Sequence, residues 1–236
     1  MFKKIIKKII VYVFGSGPYF KFRWFIKHGP QYFPIACYWN IDGWLYEKEA
    51  ITLYNIALNL PDNNPVVVEI GSWLGKSSVI IAKGIRKKKD PILYCIDPFN
   101  ASGDVLGKQD YDKRAKKLEG TLKGTFIKNM KKCKVHNYIK ILEGMSYDFV
   151  DEWKQKIDFL FIDASHSYED TLRDFVSWSK FIRPGGYIAF HDVIIDSAKM
   201  EIYHGGPHRV VKEHILDNNK WTEKKFANSL FSAKKV

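Results

Sequence analysis

The stretch PVVVEIGSWLGKSSVIIAK, Pro65 to Lys83, decides how the rest of this chain is read. It opens with an apolar run, Val66, Val67, Val68 and Ile70, interrupted by Glu69. Gly71 and Gly75 follow, with Ser72, Ser77 and Ser78 around them, and then Val79, Ile80 and Ala82 resume helical spacing. That order predicts a buried strand, a tight glycine turn and a helix N-terminus. Such a turn lets backbone N–H groups and the positive end of a helix come close to a ligand.

Downstream, the same unit recurs. Ile92–Ile96 reads as a second strand ending at Asp97-Pro98-Phe99, Ile139–Leu142 as a third followed by Glu143-Gly144-Met145-Ser146, and Ile157–Ile162 as a fourth ending at Asp163-Ala164-Ser165-His166. Pro184-Gly185-Gly186 is read as a turn into a fifth strand, Tyr187–Phe190, ending at His191-Asp192. Helices are predicted at Thr121–Cys133, from Tyr147 to Trp153, at Tyr168–Phe181 and at Arg209–Leu216; Trp221–Phe226 and Ser229–Ala233 would close the chain as a hairpin. Residues 101–118 read as a polar, irregular excursion. His204 and His208 lie in a Gly/Pro-rich loop that would either close over a substrate or stay exposed. Alternating strands and helices predict an α/β fold. It is a Rossmann-like, doubly wound, mostly parallel seven-stranded sheet with a closing antiparallel hairpin and an N-terminal helical extension. Ligands of open α/β sheets bind outside the carboxyl ends of the strands. All five clusters of reactive side chains fall there.

Upstream, Gly43–Leu60 reads as a helix ended by Pro61-Asp62-Asn63-Asn64-Pro65, and Gly15–Asp42 as an irregular aromatic-rich cap. Phe2, Ile5, Ile6, Ile9, Ile10 and Val13 share one helical face and Lys3, Lys4, Lys7 and Lys8 the other, so residues 1–14 form a basic amphipathic helix. Two readings stand for it: a peripheral contact with an anionic membrane, or docking on the domain or a second subunit as a homo-oligomer. The division is 1–42 as the extension and 43–236 as the functional domain. The chain has 236 residues, a net charge of +12 and three widely spaced cysteines without a CxxC pair. The cysteines exclude a disulfide framework and a cysteine zinc site and fit a reducing, cytoplasmic setting, at the inner face of the membrane where the first reading of residues 1–14 holds. The charge permits nucleic acid, anionic lipid or an anionic substrate as partners, but no nucleic-acid-binding module is present and none is expected to bind.

Three ligands use a turn of this kind. Gly71-Ser72-Trp73-Leu74-Gly75-Lys76-Ser77 approaches the phosphate-loop pattern, but three residues rather than four separate the glycines, one short of a full phosphate cradle. A dinucleotide site would need a glycine where Trp73 stands. A methyl-donor site fits the parts present: Glu69 beside a cationic sulfonium amino acid, the glycine turn making room for it, and Asp97 accepting from two ribose hydroxyls. The alternatives held beside it are a phosphate-loop-like NTPase and a non-catalytic cofactor-fold protein acting through its basic N-terminal helix.

At this point the chain resembles the class I S-adenosylmethionine-dependent methyltransferases, of the branch that includes sugar and antibiotic O-methyltransferases (the methyltransferase family 24 type). The most specific match is DFLFIDASHSYEDTLRDFVSWSKFIRPGGYIAFHDV, with its I-D-x-x-H-x-Y, P-G-G and H-D positions filled. The resemblance implies an S-adenosylmethionine site at Glu69, Gly71, Ser72, Gly75, Ser77, Asp97, Gly144, Met145 and Ser146. It implies a divalent metal, Mg2+, at Asp163 and Asp192, which could share one ion if their strands are neighbours ~4.8 Å apart. The expected reaction is methyl transfer to a hydroxyl of a sugar, glycan or glycosylated small molecule. His166 is the first candidate for the base, with Asp163 in that role if no metal is bound, and His191 the third catalytic candidate.

Overall fold

In the computed structural model, the described residues are 16–102, 104, 108–194 and 205–236. The helix expected at 1–14 and the side chain of His204 lie outside them. Seven strands form one sheet in the order β3-β2-β1-β4-β5-β7-β6. They are β1 Val66–Ile70, β2 Ile92–Asp97, β3 Ile139–Glu143, β4 Ile157–Ile162, β5 Ile182–Phe190, β6 Trp221–Ala227 and β7 Leu230–Lys235. β1 to β5 run parallel; β7 pairs antiparallel with β5 and with β6. The order reverses at β1 and β4, where a doubly wound sheet opens a crevice.

The helices are α1 Ser16–His28, α2 Glu47–Leu58, α3 Lys76–Ile85, α4 Lys108–Ala115, α5 Leu122–Lys132, α6 Tyr168–Ser179 and α7 Gly206–Val211. Strand alternation sorts the core into two faces. Val67 joins Ile80, Ile81 and Phe126 on one side of the sheet, while Val68 and Ile70 join Trp178, Val210 and Phe190 on the other.

Four local expectations are corrected. The aromatic cap is regular: α1 leads into a 3-10 helix, Pro30–Asn40, whose Ile35 and Tyr38 share the core with Trp24. The excursion at 101–118 contains α4, which has a Lys108–Asp112 pair one turn apart and sets Tyr111 and Ala115 against the core. The segment from Tyr147 makes only a 3-10 turn, Ser146–Asp148, because the Asp148 carboxylate reaches back to accept the Met145 N–H at 2.8 Å. Pro184-Gly185-Gly186 sits inside β5, at a register shift against β4, rather than ahead of the strand.

Candidate active site

The ladder runs one step past the strand ends and sets four residues in a row. Gly71 N–H donates to the Ile96 carbonyl (2.9 Å), Asp163 N–H to Ile70 (2.8 Å), His191 N–H to Ile162 (3.1 Å) and Gly144 N–H to Asp97 (3.2 Å). Gly71 has φ +89°, and a Cβ there would come within 2.1 Å of the Asp163 carbonyl oxygen, so only glycine lets β1 turn this close to β4. Trp73 and Asp192 also hold positive φ, 47° and 55°, strain of the kind that concentrates at functional sites.

These strand ends open into one cleft with two compartments. Gly71, Trp73, Asp104, Tyr111 and Asp163 line both. The first, about 250 Å³, adds Ser72, Ser77, Lys76, Trp44, His166, His191 and Asp192. The second adds Asp97, Gly144, Met145, Ser146 and Asp174. The sequence-derived donor residues therefore divide, with Gly71, Ser72 and Ser77 toward one end and Asp97, Gly144, Met145 and Ser146 toward the other.

Glu69 and Gly75 line neither compartment. Glu69 is fully buried behind the turn, where its Oε2 accepts from Ser72 Oγ at 2.8 Å and from Ser78 Oγ. Through these bonds it organises the turn from beneath. Gly75, at φ +85°, packs on α5: a Cβ would sit 2.2 Å from Met130 Cε. Lys76, the residue that would reach a phosphate in a phosphate loop, instead donates to the carbonyls of Ile41 (3.0 Å) and Gly43 (2.9 Å). It fastens the segment that carries Trp44 to the rim. His208 lies on α7 and lines neither compartment.

Burial pushes the Glu69 carboxyl up to about 7, against the hydrogen bonds of Ser77, Ser78 and Ser72. The folded chain then holds a proton that the unfolded chain releases above its ordinary value of 4.5. Stability from this group accordingly falls as pH rises from about 4.5 to about 7, by roughly 3 kcal/mol at most. Urea denaturation across that window should show the fall in the wild type, and Glu69→Gln should flatten the difference between the two ends. Parallel curves for both proteins would refute this account of Glu69.

Two histidines are wedged among carboxylates. His166 Nδ1 is 2.8 Å from Asp104 Oδ2 and its Nε2 is 2.7 Å from Asp192 Oδ2. Burial would lower its pKa, but these two carboxylates outweigh burial and push it up to about 9. His191 Nε2 lies 3.2 Å from Glu49 Oε2, and its Nδ1 lies 3.2 Å from both Asp163 Oδ1 and Asp192 Oδ2. Burial again opposes the charge, and Asp163 and Asp192 override it, holding His191 well above its ordinary value. Asp192 is raised by burial but held below the usual carboxylate range by His191 and His166, while burial leaves Asp163 raised despite His191. The surrounding carboxylates thus favour the protonated form of both imidazoles. Both nitrogens of His166, the first candidate for the base, lie against carboxylates.

Asp97 closes β2 with both carboxylate oxygens engaged by backbone N–H groups. Its Oδ2 accepts from Trp73 N–H (2.7 Å) and its Oδ1 from Phe99 N–H (2.6 Å). A carboxylate has about four acceptor positions, so two remain for a pair of hydroxyls. Ser146 donates to Asp174, whose carboxyl burial lifts to about 6 on the wall of the same compartment. For a metal, one ligand atom each of Asp163, His191 and Asp192 lies within 4.8 Å of the others. Glu49, Asp104, Asp163 and Asp192 face the two imidazoles. Two carboxylates in such surroundings suit a hard divalent cation.

Sequence reading missed Glu49, Asp104, Trp44, Tyr111 and Asp174. Glu49 and Asp104 lie far along the chain from the histidines they bond, and no local pattern marks them. Asp174 did carry a signal, since it falls on the buried stripe of α6 with Thr171, Phe175 and Trp178.

A seven-stranded sheet of this order, with a cleft at the carboxyl ends of β1, β2, β4 and β5, is the Rossmann-like methyltransferase fold. The sequence profile of a methyltransferase-domain family, methyltransferase 24, matches residues 68–193, more than half of the 236 residues, and the chain belongs to that family. It is 26% identical over 153 residues to the uncharacterized protein R132 of Acanthamoeba polyphaga mimivirus; the match covers 65% of this chain and 62% of that protein. Among solved structures it is similar to the O-methyltransferase TomG from Streptomyces achromogenes, involved in tomaymycin synthesis and solved with SAM. That match has 17% identity and a TM-score of 0.59, over 82% of this chain and 81% of TomG. It is also similar to an O-methyltransferase from Bacillus cereus in complex with SAH (15% identity, TM-score 0.61, over 91% of this chain and 96% of that one).

Proposed function

We infer that this protein is an S-adenosylmethionine-dependent O-methyltransferase acting on a hydroxyl of a sugar, glycan or glycosylated small molecule in the cytoplasm. The observation that carries this reading is the cleft itself. A compartment with a strand-end carboxylate opens, past Gly71, into one rich in carboxylates and aromatic rings. Family membership and the fold shared with TomG and the Bacillus cereus enzyme support the donor.

Aromatic rings and acids together support the acceptor class. Tyr111 meets Trp44 at 5.2 Å and Trp73 at 4.9 Å between ring centroids, both edge-on. The Arg114 guanidinium lies 4.2 Å from the Trp44 ring centre and pairs with Asp42. Ring faces take the C–H face of a pyranose, and the neighbouring carboxylates accept from its hydroxyls, so few polar groups fix a mostly ring-lined ligand.

Methyl transfer displaces the sulfonium sulfur in line with the attacking oxygen. The protein's chief task is to hold the two reactants aligned. Asp97 and the 144–146 segment would fix the adenosyl end of the donor, and Gly71, Ser72 and Ser77 would leave room for its amino-acid end. The hydroxyl's proton needs an acceptor. Where no metal is bound, that role falls to Asp163: it lines both compartments, and burial raises its carboxyl above the ordinary value. Asp163 and Asp192 would hold Mg2+, which when bound lowers the pKa of a hydroxyl and fixes its position.

The test is incubation with methyl-labelled S-adenosylmethionine and a panel of free sugars, sugar nucleotides, lipid-linked oligosaccharides, RNA and catechols. Label recovered as an alkali-stable sugar methyl ether is the expected result. Label in RNA alone would overturn the acceptor class. Donor binding without transfer to any acceptor would favour the non-catalytic reading. Activity undiminished by a chelator would remove Mg2+.

A further inference from the structure

Helix α1 has two faces. Trp24 is buried and meets Tyr38 at 5.4 Å between ring centroids, fixing one face on the core. On the other side Phe22, Phe25 and Ile26 are 55%, 42% and 68% exposed. With about 100° between successive helical residues, these three occupy an arc of about 100° opposite Trp24. The strip continues onto the next element. Phe33 of the 3-10 helix is 48% exposed and meets Phe25 edge-on, with centroids 6.3 Å apart. Large apolar side chains gathered like this mark a contact surface.

The sequence around the strip is basic, and Lys27 at its edge pairs with Glu47 of α2. Lys21, Arg23 and Lys27 are exposed beside it. From Met1 to Phe33 the sequence has Lys3, Lys4, Lys7, Lys8, Lys21, Arg23 and Lys27 and no acid; the first is Asp42. A second copy of the chain would bring the same cations against themselves, which disfavours self-association through this face. An anionic bilayer matches both features, taking Phe and Ile side chains at the level of the headgroups while its surface charge attracts lysine and arginine. Among the described residues no helix is long and apolar enough to cross a membrane.

We propose that Phe22, Phe25, Ile26 and Phe33 form a shallow docking surface by which the protein lies on an anionic lipid bilayer, assisted by the flanking lysines and arginine. This surface stands apart from the cleft residues, and the proposal does not depend on the methyl-transfer reading.

The experiment is co-sedimentation of the full chain with vesicles of phosphatidylcholine alone and of phosphatidylcholine mixed with phosphatidylglycerol. Binding to the anionic vesicles should be at least about tenfold tighter and should weaken with salt. The triple variant Phe22→Ser, Phe25→Ser, Ile26→Ser should lose about tenfold or more of that binding, with circular dichroism and S-adenosylhomocysteine binding unchanged. Should the triple variant misfold, Phe22→Ser alone should show a smaller loss of the same sign. Failure of the wild type to bind anionic vesicles would overturn the proposal. So would variants that bind as tightly as the wild type, which would leave the contact to residues 1–14. A wild-type dimer by light scattering that the variant abolishes, or binding to RNA in place of vesicles, would replace the bilayer with another occupant.

Discussion

Asp97→Ala is expected to weaken S-adenosylmethionine binding by at least about a hundredfold. The carboxylate closes β2 on the wall of the donor compartment and has acceptor positions left after Trp73 and Phe99 are served. Hydrogen bonds from two ribose hydroxyls to a charged oxygen are worth about 1.5–3 kcal/mol each, so losing both is worth at least about two orders of magnitude in Kd. The substitution also removes the acceptors of two backbone N–H groups at the turn, so some loss of stability accompanies it. Asp97→Asn separates the two effects: it keeps one acceptor and the shape, and should bind the donor with an intermediate Kd. Calorimetric titration of the wild type and both variants reads the result. Equal affinities across the three proteins would remove Asp97 from the donor site.

Asp163→Asn should lower kcat by roughly 10²–10⁴ while leaving the donor Kd within about threefold, as removal of a general base does. The amide keeps the size of the side chain and the backbone carbonyl against which Gly71 packs, so the turn survives. What disappears is the half-buried carboxylate between the two compartments. Initial rates with the sugar acceptor returned by the labelling panel, together with donor titration, make the check. A variant that retains most of its turnover would hand the proton to another group. His166 is the next candidate in that case, with Asp104 and Asp192 already on its two nitrogens.

Why some of this was legible and some was not has physical causes. The strand ends could be read because β1, β2 and β4 are short apolar runs, each closing on a polar cluster. The sheet then gathers those clusters along one edge whatever their order in the chain. The missing loop residue between Gly71 and Gly75 correctly argued against a phosphate cradle, and the bonds of Lys76 to Ile41 and Gly43 agree. The burial of Glu69 was already in the pattern. Strand residues alternate, so Glu69 shares the side of Val67, which faces the core under α3, and not the side of Val68 and Ile70. The partners of the histidines were out of reach for a different reason. Glu49 is on α2 and also accepts from Ser229 N–H and Oγ, joining the β6–β7 turn to the site. Asp104 stands in a segment with no periodicity at all. Contacts of that kind depend on how the helices and loops settle on the sheet, which local spacing does not encode.

The central claim is that the glycine turn serves a sulfonium nucleoside and not a phosphate. Calorimetric titration of the full chain with S-adenosylhomocysteine, and separately with MgATP, tests it most directly. Saturable one-to-one binding of S-adenosylhomocysteine with no heat from MgATP is the predicted result. Saturable binding of MgATP with none of S-adenosylhomocysteine would contradict it.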